Sequence, residues 1–342
     1  MDGIEVYRFM YFFPLSKQTI AYGNYKGNGG LSSSIKAFIY VLMQLIFSFF
    51  LTVRYEPDVI NAHWLIPQGF SASIVGLISG RKVFVNIHGS DVFTLKHRVI
   101  MPFKRFVLRH ASEVVVNSSV TQKAAKQILD RKFSLIPTVV DVEHFSQAFT
   151  LKKYRNRDKF TVLFVGRLSE EKGVIDLLKA IKILKNRDKL WLHLRIVGDG
   201  PERKKLEEFV TKNNIEQYVE FSGWKQRDAL VDLFGVADVF AGPSITTNDG
   251  CVEAFGIVFA EASASGLPVI TTNKGGMVDI VVHDETGFIV PEKSPTIIAE
   301  KIETLYGDPE LCRKLGTQGH KRAVERYSRE TIKGMYEKIL AS

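Results

Sequence analysis

The chain has 342 residues, of which 45% are hydrophobic and 24% are charged. This composition is typical of a soluble globular protein that is long enough for two domains with substantial cores. Cys251 and Cys312 are the two cysteines, and they show neither metal nor redox spacing, which predicts a reducing, cytoplasmic setting without structural disulfides. Residues 1–14 lack a basic region followed by an apolar core, so no secretory signal peptide is expected.

The net charge of +9 is concentrated in the first half of the chain. Residues 1–150 contain 16 Lys and Arg against 9 Asp and Glu, a net +7, which leaves 30 against 28, a net +2, for residues 151–342. A basic surface of this kind favours an anionic partner, either lipid headgroups or a phosphate-bearing acceptor. Nucleic acid is not expected as a partner, because the chain has no recognisable binding motif, zinc spacing or aromatic-basic repeat.

Short β-branched or aromatic segments alternate with longer helical patterns along the chain, which predicts parallel sheets with helices on both faces. The predicted strands of the first half are Glu5–Phe9, Val59–His63, Val83–His88, Glu113–Asn117 and Phe133–Pro137. Those of the second half are Thr161–Gly166, His193–Gly198, Val219–Ser222, Val239–Ala241, Pro268–Thr272 and Gly287–Val290.

The polar, highly charged residues 151–159 are predicted to be an inter-domain linker. We therefore expect one Rossmann-like domain in residues 1–150 and a second in residues 160–325. Residues 326–342 are expected to form a C-terminal helix that crosses back to the first domain.

Residues 37–53, AFIYVLMQLIFSFFLTV, are apolar enough and nearly long enough to span a membrane. Their polar members recur at every fourth position, at Tyr40, Gln44, Ser48 and Thr52, which places them on one face of a helix. A single polar stripe favours a buried helix over a membrane span. An in-plane contact with a membrane is the alternative.

Residues 96–110, KHRVIMPFKRFVLRH, offer a second candidate for membrane contact. Pro102 is predicted to open a helix. Its apolar patch consists of Phe103, Phe106 and Val107, with Lys104, Arg105 and Arg109 around it. The pattern fits both a half-buried helix with solvated charges and a contact with an anionic membrane.

Residues 253–261, EAFGIVFAE, place two carboxylates with seven residues between them, one of which is a glycine. Gly256 allows close approach of a ligand, and a helix is predicted to start directly after it, with amides that attract phosphate. Glu261 is expected to accept hydrogen bonds from vicinal hydroxyls such as those of a ribose, and Glu253 from sugar hydroxyls. Alternatively, Glu253 caps the helix and Glu261 is solvated.

Residues 162–173, VLFVGRLSEEKG, form a predicted strand that ends at Gly166 and is followed by Arg167 and Lys172. Cations at the carboxyl end of a parallel strand face the crevice of such a fold and stabilise the negative charge of a nucleoside diphosphate leaving group. Each residue alone is more typical of a protein surface. In combination with the two glutamates, they indicate a phosphate clamp.

After the next strand, Gly198 and Gly200 in IVGDGPER are predicted to form a backbone wall against a nucleotide. A dinucleotide fingerprint is not formed, because the third glycine and the later acidic residue are missing. Trp224 is predicted to be a packing residue rather than a stacking one.

In the first half, His63 and His88 each end a predicted strand, and we expect both to face the same crevice. They are candidates for sugar or phosphate contacts. His88 is the stronger candidate, because Gly89 opens the backbone beside it. The eight histidines show no metal spacing, and there is no Asp-x-Asp pair. Arg167 and Lys172 are therefore expected to take the place of a metal.

From about Asp58 to the C-terminus, the chain resembles retaining glycosyltransferases of family 4, which have the two-domain GT-B fold, and especially the bacterial exopolysaccharide and lipopolysaccharide members. The segments that carry the resemblance are DVINAHW, VNIHGSD, IPTVVDVEHF, VGRLSEEKG, IVGDGPER, FSGW, DGCVEAFGIVFAEASASGLPVI and DETGFIV.

The resemblance implies an α/β fold of two Rossmann-like parallel-sheet domains that face a crevice. The roles that it implies are Arg167 and Lys172 on the diphosphate, Glu261 on the ribose, Glu253 on the donor sugar with the amides of Phe255, Gly256 and Ile257, and His88 beside the transferred sugar. It implies no metal and no cofactor, with a UDP- or GDP-sugar as co-substrate.

By the same resemblance, a hexose would be transferred to a glycan or lipid-linked acceptor in the synthesis of a bacterial surface polysaccharide. The cysteines predict a cytoplasmic enzyme, and the basic first half with its two candidate segments for membrane contact is consistent with a peripheral position on the inner face of the plasma membrane. A GT-B sugar-nucleotide epimerase, a glucan synthase and a catalytically weak nucleotide-sugar-binding protein are the alternatives.

The chain departs from the family at its start. Members begin with a strand and a glycine-rich loop, whereas MDGIEVYRFMYFFP resembles a later strand. The N-terminal domain is therefore expected to lack its first strands, and Lys26–Gly30 to be a flexible turn rather than the missing loop. Thr138 and Val139 also replace the usual Asn-Gly.

Overall fold

The structure, a computed structural model, describes residues 3–11, 31–94, 98–151, 159–187, 191–248 and 250–341. The chain divides into two compact units. The first contains Met1–Val116 and Lys123–Ser134, and the second contains Asn117–Gln122 and Leu135–Ser342. The expected turn at 26–30 and most of the expected linker lie outside the described residues.

Within the described residues, the first unit contains a four-stranded sheet in the order β1-β2-β3-β4. The strands are β1 (Val59–His63), β2 (Lys82–Ile87), β3 (Glu113–Val116) and β4 (Ser134–Leu135). The helices are α1 (Leu31–Tyr55), α2 (Phe70–Ser79), α3 (Ser90–Phe93), α4 (Met101–His110) and α5 (Ser119–Ile128), the last of which is shared between the units. β1 pairs in parallel with β2, and β2 with β3. Because β-branched residues dominate these strands, their side chains form a continuous buried core.

Three sequence predictions in this unit are corrected by the structure. Glu5–Phe9 is not a strand. Residues 37–53 do lie in a helix, α1, but the helix is largely exposed rather than buried. In α4, Lys104 and Val107 are buried, and the Lys104 ammonium donates to the carbonyl of Thr94 at 3.0 Å.

Arg105 is exposed, and its Nε donates to the carbonyl of Ile128 at 3.3 Å. The predicted patch is therefore only partly exposed: Phe103 and Arg109 face outward while Lys104 and Val107 do not, so α4 is a half-buried helix and its contact with a membrane stays a prediction.

The second unit contains, in its described residues, a six-stranded parallel sheet in the order β10-β9-β8-β5-β6-β7. The strands are β5 (Phe160–Val165), β6 (Leu192–Val197), β7 (Val219–Gly223), β8 (Val239–Gly242), β9 (Val269–Thr272) and β10 (Gly287–Val290). Each of the six coincides, within one or two residues, with a strand predicted from the sequence.

Two hydrophobic clusters form the core of the second unit. Its helices are α6 (Val142–Leu151), α7 (Val174–Lys185), α8 (Arg203–Lys212), α9 (Arg227–Val236), α10 (Ile257–Ala264), α11 (Met277–Ile280), α12 (Pro295–Gly307), α13 (Pro309–Tyr327) and α14 (Arg329–Leu340). The strand order reverses between β5 and β8, which makes this point the topological switch of the sheet, where ligands bind in open α/β folds.

Residues 135–151 belong to the second compact unit. Phe145 on α6 belongs to the core of the second unit, and its carbonyl accepts a hydrogen bond from the buried hydroxyl of Ser265 at 3.2 Å. The amide of Val140 donates to the carbonyl of Tyr327 at 2.9 Å. Residues 135–151 therefore pack with the C-terminal sheet, because their apolar positions complete its core. That residues 326–342 reach the first domain stays a prediction.

Candidate active site

The carboxyl end of β5 is packed closely against the end of β6. The Gly166 amide donates to the carbonyl of Val197, and the Gly198 amide to that of Gly223, each at 2.9 Å. A Cβ atom on Gly198 would lie 1.9 Å from the carbonyl oxygen of Gly166, and Gly198 has φ +136°. Glycine is required at this position because any side chain would collide with backbone, so backbone alone forms a wall here. That this wall faces a nucleotide stays a prediction.

A cavity of about 420 Å³ opens at this wall. Its lining residues are Val165, Gly166, Arg167, Val197, Gly198, Asp199, Trp224, Lys225 and Leu230. Trp224 is 71% exposed, so it does not have the packing role that the sequence predicted. The cavity thus offers an indole ring and the side chains of Arg167 and Lys225, which suit an aromatic base and a phosphate.

Lys172 and Glu253 contact each other at the switch point. Lys172 ends a short 3₁₀ turn that begins at Glu170, and its ammonium donates to the Glu253 carboxylate in an ion pair. The two side chains are only 21% and 16% exposed. The sequence had assigned the two residues to different parts of a donor, and nothing in their 81-residue separation predicted direct contact.

Backbone contacts place the two partners of this ion pair. The amide of Ile245, in the loop after β8, donates to the carbonyl of Glu171 at 2.8 Å. The carbonyl of Glu253 accepts from the amide of Gly276 at 2.9 Å, and the carbonyl of Ala254 accepts from the Ser118 hydroxyl at 2.6 Å. The loop that carries Glu253 is thereby fixed on two sides, which keeps its carboxylate beside the 3₁₀ turn.

Helix α10 begins directly after Gly256, as the sequence predicted. Gly256 has φ +84° and ψ +63°, and a Cβ atom there would lie 2.7 Å from the Phe259 ring. The amide of Phe259 donates to the carbonyl of Gly256, so the amides that precede it have no acceptor within the helix. Phe255 is buried, but Ile257, the first residue of α10, is exposed. Because the start of the helix is accessible and its first amides have no acceptor within the helix, it can bind an anion.

Glu261 lies in the second turn of α10 and is not a solvated residue. Burial raises the pKa of its carboxyl to about 7, and the nearby positive charge of Arg227 opposes this rise. Arg227 stands one turn before Leu230 on α9, and Leu230 lines the cavity. Arg227 also forms an ion pair with Asp141 at 3.1 Å. A poorly solvated acceptor beside a fixed cation suits ligand hydroxyls.

In the first unit, His63 and His88 lie side by side at the ends of β1 and β2. His63 Nδ1 and His88 Nε2 are 2.8 Å apart, a hydrogen bond in which either ring can be the donor. Burial, and then the neighbouring His63, lower the pKa of His88. The predicted adjacency of the two histidines is confirmed.

Asp91 is a residue of this region whose role the sequence analysis missed. Its buried carboxylate accepts hydrogen bonds from the amides of Leu65 at 3.2 Å and Gly89 at 2.9 Å. Burial raises the pKa of Asp91. Because those two amides follow β1 and β2, the carboxylate fixes the backbone beside both histidines. The HGSD sequence that contains it was the available signal.

Within the residues that the structure describes, no group of three or more His, Cys, Asp or Glu side chains is arranged to hold a metal ion.

Comparisons with known proteins identify the relatives of this chain. Residues 147–322 match the family model of glycosyl transferases group 1, and residues 24–144 match that of Glycosyltransferase Family 4. The chain is 30% identical over 278 residues to a GDP-mannose-dependent alpha-(1-6)-phosphatidylinositol monomannoside mannosyltransferase of Mycobacterium tuberculosis, with 78% of this chain and 71% of that protein aligned.

It is also 25% identical over 302 residues to the N-acetyl-alpha-D-glucosaminyl L-malate synthase of Bacillus anthracis, with 84% of this chain and 75% of that protein aligned. Among solved structures, Alr3699/HepE of Anabaena in complex with UDP has a TM-score of 0.76 at 23% identity, with 87% of this chain and 81% of that chain covered. This structural likeness shows the fold that the two chains share.

Proposed function

This chain belongs to the glycosyltransferases of family 4 and has their GT-B fold, and from that membership we propose that it moves a hexose from a UDP- or GDP-sugar to a glycan acceptor with retention of the anomeric configuration. The observation that carries the proposal is the ion pair between Lys172 and Glu253 at the topological switch point. The poorly solvated ammonium of Lys172 there can bind a diphosphate, and the Glu253 carboxylate can accept hydrogen bonds from sugar hydroxyls.

We expect a bound donor to break this ion pair, with Lys172 and Glu253 binding different parts of the donor. The diphosphate would take the ammonium of Lys172 and the exposed guanidinium of Arg167, while the amides at the start of α10 receive the remaining phosphate oxygens. Glu253 would then accept hydrogen bonds from the hexose, and Glu261 from the ribose. Trp224 supplies a flat surface for the base.

In the proposed reaction, the bond between the anomeric carbon and the diphosphate oxygen breaks, and the acceptor hydroxyl oxygen attacks that carbon on the same face. The hydroxyl proton passes to the leaving phosphate, so the products are a glycoside and a nucleoside diphosphate. Arg167 and Lys172 stabilise the charge that gathers on the leaving group, which is the task that a metal performs in other transferases. We therefore propose that transfer needs no metal and no cofactor.

The proposed acceptor is a lipid-linked glycan used for a bacterial surface polysaccharide, and the proposed location is the cytoplasmic side of the plasma membrane. Two observations support this part. The mycobacterial relative is named for a phosphatidylinositol monomannoside, and the first 150 residues carry a net charge of +7, which favours an anionic acceptor. The role of His88 beside the transferred sugar stays a prediction from the family resemblance.

Calorimetric titration with a panel of UDP- and GDP-sugars, followed by transfer assays with and without EDTA, tests the proposal. The anomeric configuration of the product is read by NMR. We expect Lys172→Ala to lower kcat by roughly 100-fold to 1000-fold, equivalent to about 3–4 kcal/mol of transition-state stabilisation. Lys182→Ala, at an exposed lysine of α7, is the matched control.

Because Lys172→Ala leaves the Glu253 carboxylate poorly solvated and unpaired, the double variant Lys172→Ala, Glu253→Gln separates lost charge stabilisation from local unfolding. A product of inverted configuration, or near-normal turnover by a folded Lys172→Ala protein, would contradict the proposal.

A further inference from the structure

Helix α1 presents its apolar side chains outward. It is 25 residues long and contains no acidic residue. The segment Ile35–Tyr55 has a mean hydropathy of 1.9, yet only 11% of its most apolar stretch is buried. By length and composition this segment could cross a membrane, and it is the one such helix among the described residues. A helix of an ordinary soluble domain turns its apolar face to the core.

The polar stripe of this helix contacts the protein instead. Tyr40 is buried against Tyr11, with ring centroids 4.9 Å apart. The Ser71 hydroxyl of α2 donates to Gln44 Oε1 at 3.4 Å. Thr52 is also buried. The four-residue spacing found in the sequence therefore marks the face that packs on the first unit.

The outward face of α1 continues onto the C-terminal end of α2, and we call the combined surface the apolar face. On α1 it consists of Phe38, Leu42, Ile46, Phe49, Phe50 and Val53, each 39–69% exposed. On α2 it includes Leu77 and Ile78, which are 56% and 65% exposed. A groove of about 240 Å³ between the two helices is lined by Leu45, Ile46, Phe49, Ile74, Val75 and Ile78, all of them apolar. Single exposed apolar residues are common on proteins, but a continuous surface of this kind indicates a binding site.

Positive charge lies at the edges of the apolar face. Lys36 is near the start of α1 and Arg54 near its end, while Lys82 and Arg81, the latter paired with Glu56 at 3.7 Å, follow Gly80 at the end of α2. An apolar strip with cations at its ends complements a bilayer whose headgroups are anionic, because the cations meet phosphate while the strip enters the acyl region.

We propose that the apolar face lies in the plane of an anionic lipid bilayer and holds the first unit on its surface. An in-plane position follows from the polar stripe: if α1 crossed the bilayer alone, it would have to give up the contacts of Tyr40, Gln44 and Thr52 with the protein. A second copy of the chain is a poorer occupant. Antiparallel pairing of two such faces would bring Lys36 of one copy near Arg54 of the other.

Co-sedimentation with vesicles tests this proposal without any substrate, so its outcome is independent of the proposed transfer reaction. The vesicles contain phosphatidylcholine alone or phosphatidylcholine with phosphatidylglycerol. We expect binding to the anionic vesicles, which added salt weakens in part. Phe50→Asp should lower the partition coefficient by about tenfold to a hundredfold, because it removes one aromatic anchor and adds an anion.

Val324→Asp, at a 41% exposed position on α13, is the matched control and should bind as the unaltered protein does. Far-UV circular dichroism and the thermal midpoint establish that both variants fold. Should Phe50→Asp fail to fold, Ile46→Asp replaces it, since Ile46 is also more than half exposed.

The orientation is tested separately by tryptophan fluorescence. Phe38→Trp, Ile46→Trp and Phe50→Trp are each mixed with vesicles that contain lipid brominated at a known depth. For a helix in the plane, all three should be quenched most by shallow bromines; in a spanning helix, position 46 would be quenched most by deep bromines.

Failure to bind either kind of vesicle would overturn the proposal, as would equal losses for Phe50→Asp and Val324→Asp. Concentration-dependent dimers that Phe50→Asp abolishes, without vesicle binding, would assign the apolar face to a second copy instead.

Discussion

Glu261→Gln is expected to stabilise the ligand-free protein near pH 8 and to weaken its binding of nucleotide. Folding raises the pKa of Glu261 from an ordinary value of 4.5 to about 7, mainly through burial. A carboxyl whose pKa is raised by folding binds protons more tightly in the native state than in the unfolded state. Its contribution to stability is therefore complete below about pH 4.5 and is lost as the pH rises through about 7.

The size of the effect follows from that difference in pKa. A change from 4.5 to about 7 corresponds to about 3 kcal/mol of unfavourable ionisation in the native state. Glutamine is neutral at every pH and has nearly the same shape. We therefore expect Glu261→Gln to raise the free energy of unfolding by about 3 kcal/mol near pH 8, and by about 1 kcal/mol near pH 5.5.

The affinity for nucleotide should change in the opposite direction. A carboxylate accepts hydrogen bonds from two ribose hydroxyls, whereas the amide has one acceptor oxygen, so we expect a loss of about 1–2 kcal/mol in binding. A gain in stability with a loss in binding is the combination expected at a functional site.

Urea unfolding at the two pH values measures the stability, and calorimetric titration with UDP and GDP measures the affinity. Glu300→Gln, at an exposed glutamate of α12, is the control and should change neither quantity appreciably. If Glu261→Gln destabilised the protein near pH 8, or if its effect did not depend on pH, the burial of an ionised Glu261 would not be the cause that we infer.

Gly198→Ala should lower the free energy of unfolding by about 2–4 kcal/mol, because its Cβ would lie 1.9 Å from a backbone oxygen. Gly334→Ala is the control, since a Cβ there meets nothing within 4 Å, and it should not destabilise the protein. Equal urea midpoints for the two variants would refute the argument. His63→Asn should raise the pKa of His88, because it removes one of the two causes that lower it. An NMR titration of the His88 ring measures this, and an unchanged pKa would show that burial acts alone.

The sequence by itself determined the local structure and the residue types of the donor site. Alternating β-branched segments located all ten strands within one or two residues at each end, because strand formation depends on residues close together in the chain. Gly256 marked the start of α10 for the same reason, since a backbone with positive φ needs glycine.

Only the tertiary structure decided which side chains meet. Lys172 and Glu253 are 81 residues apart, and they pair because the parallel sheet reverses its strand order between β5 and β8. The pKa of Glu261 depends on burial by distant segments, which spacing along the chain does not encode.

Helix α1 gives the clearest division between the two kinds of information. Its sequence predicts a helix with one polar stripe, but the same pattern is compatible with a buried helix and with one on a membrane surface. The fold decided which face of the helix is covered, by placing Tyr40 and Thr52 against the protein and leaving Phe38 and Phe50 outward. Periodicity defines the two faces of a helix, and only packing determines which face is covered.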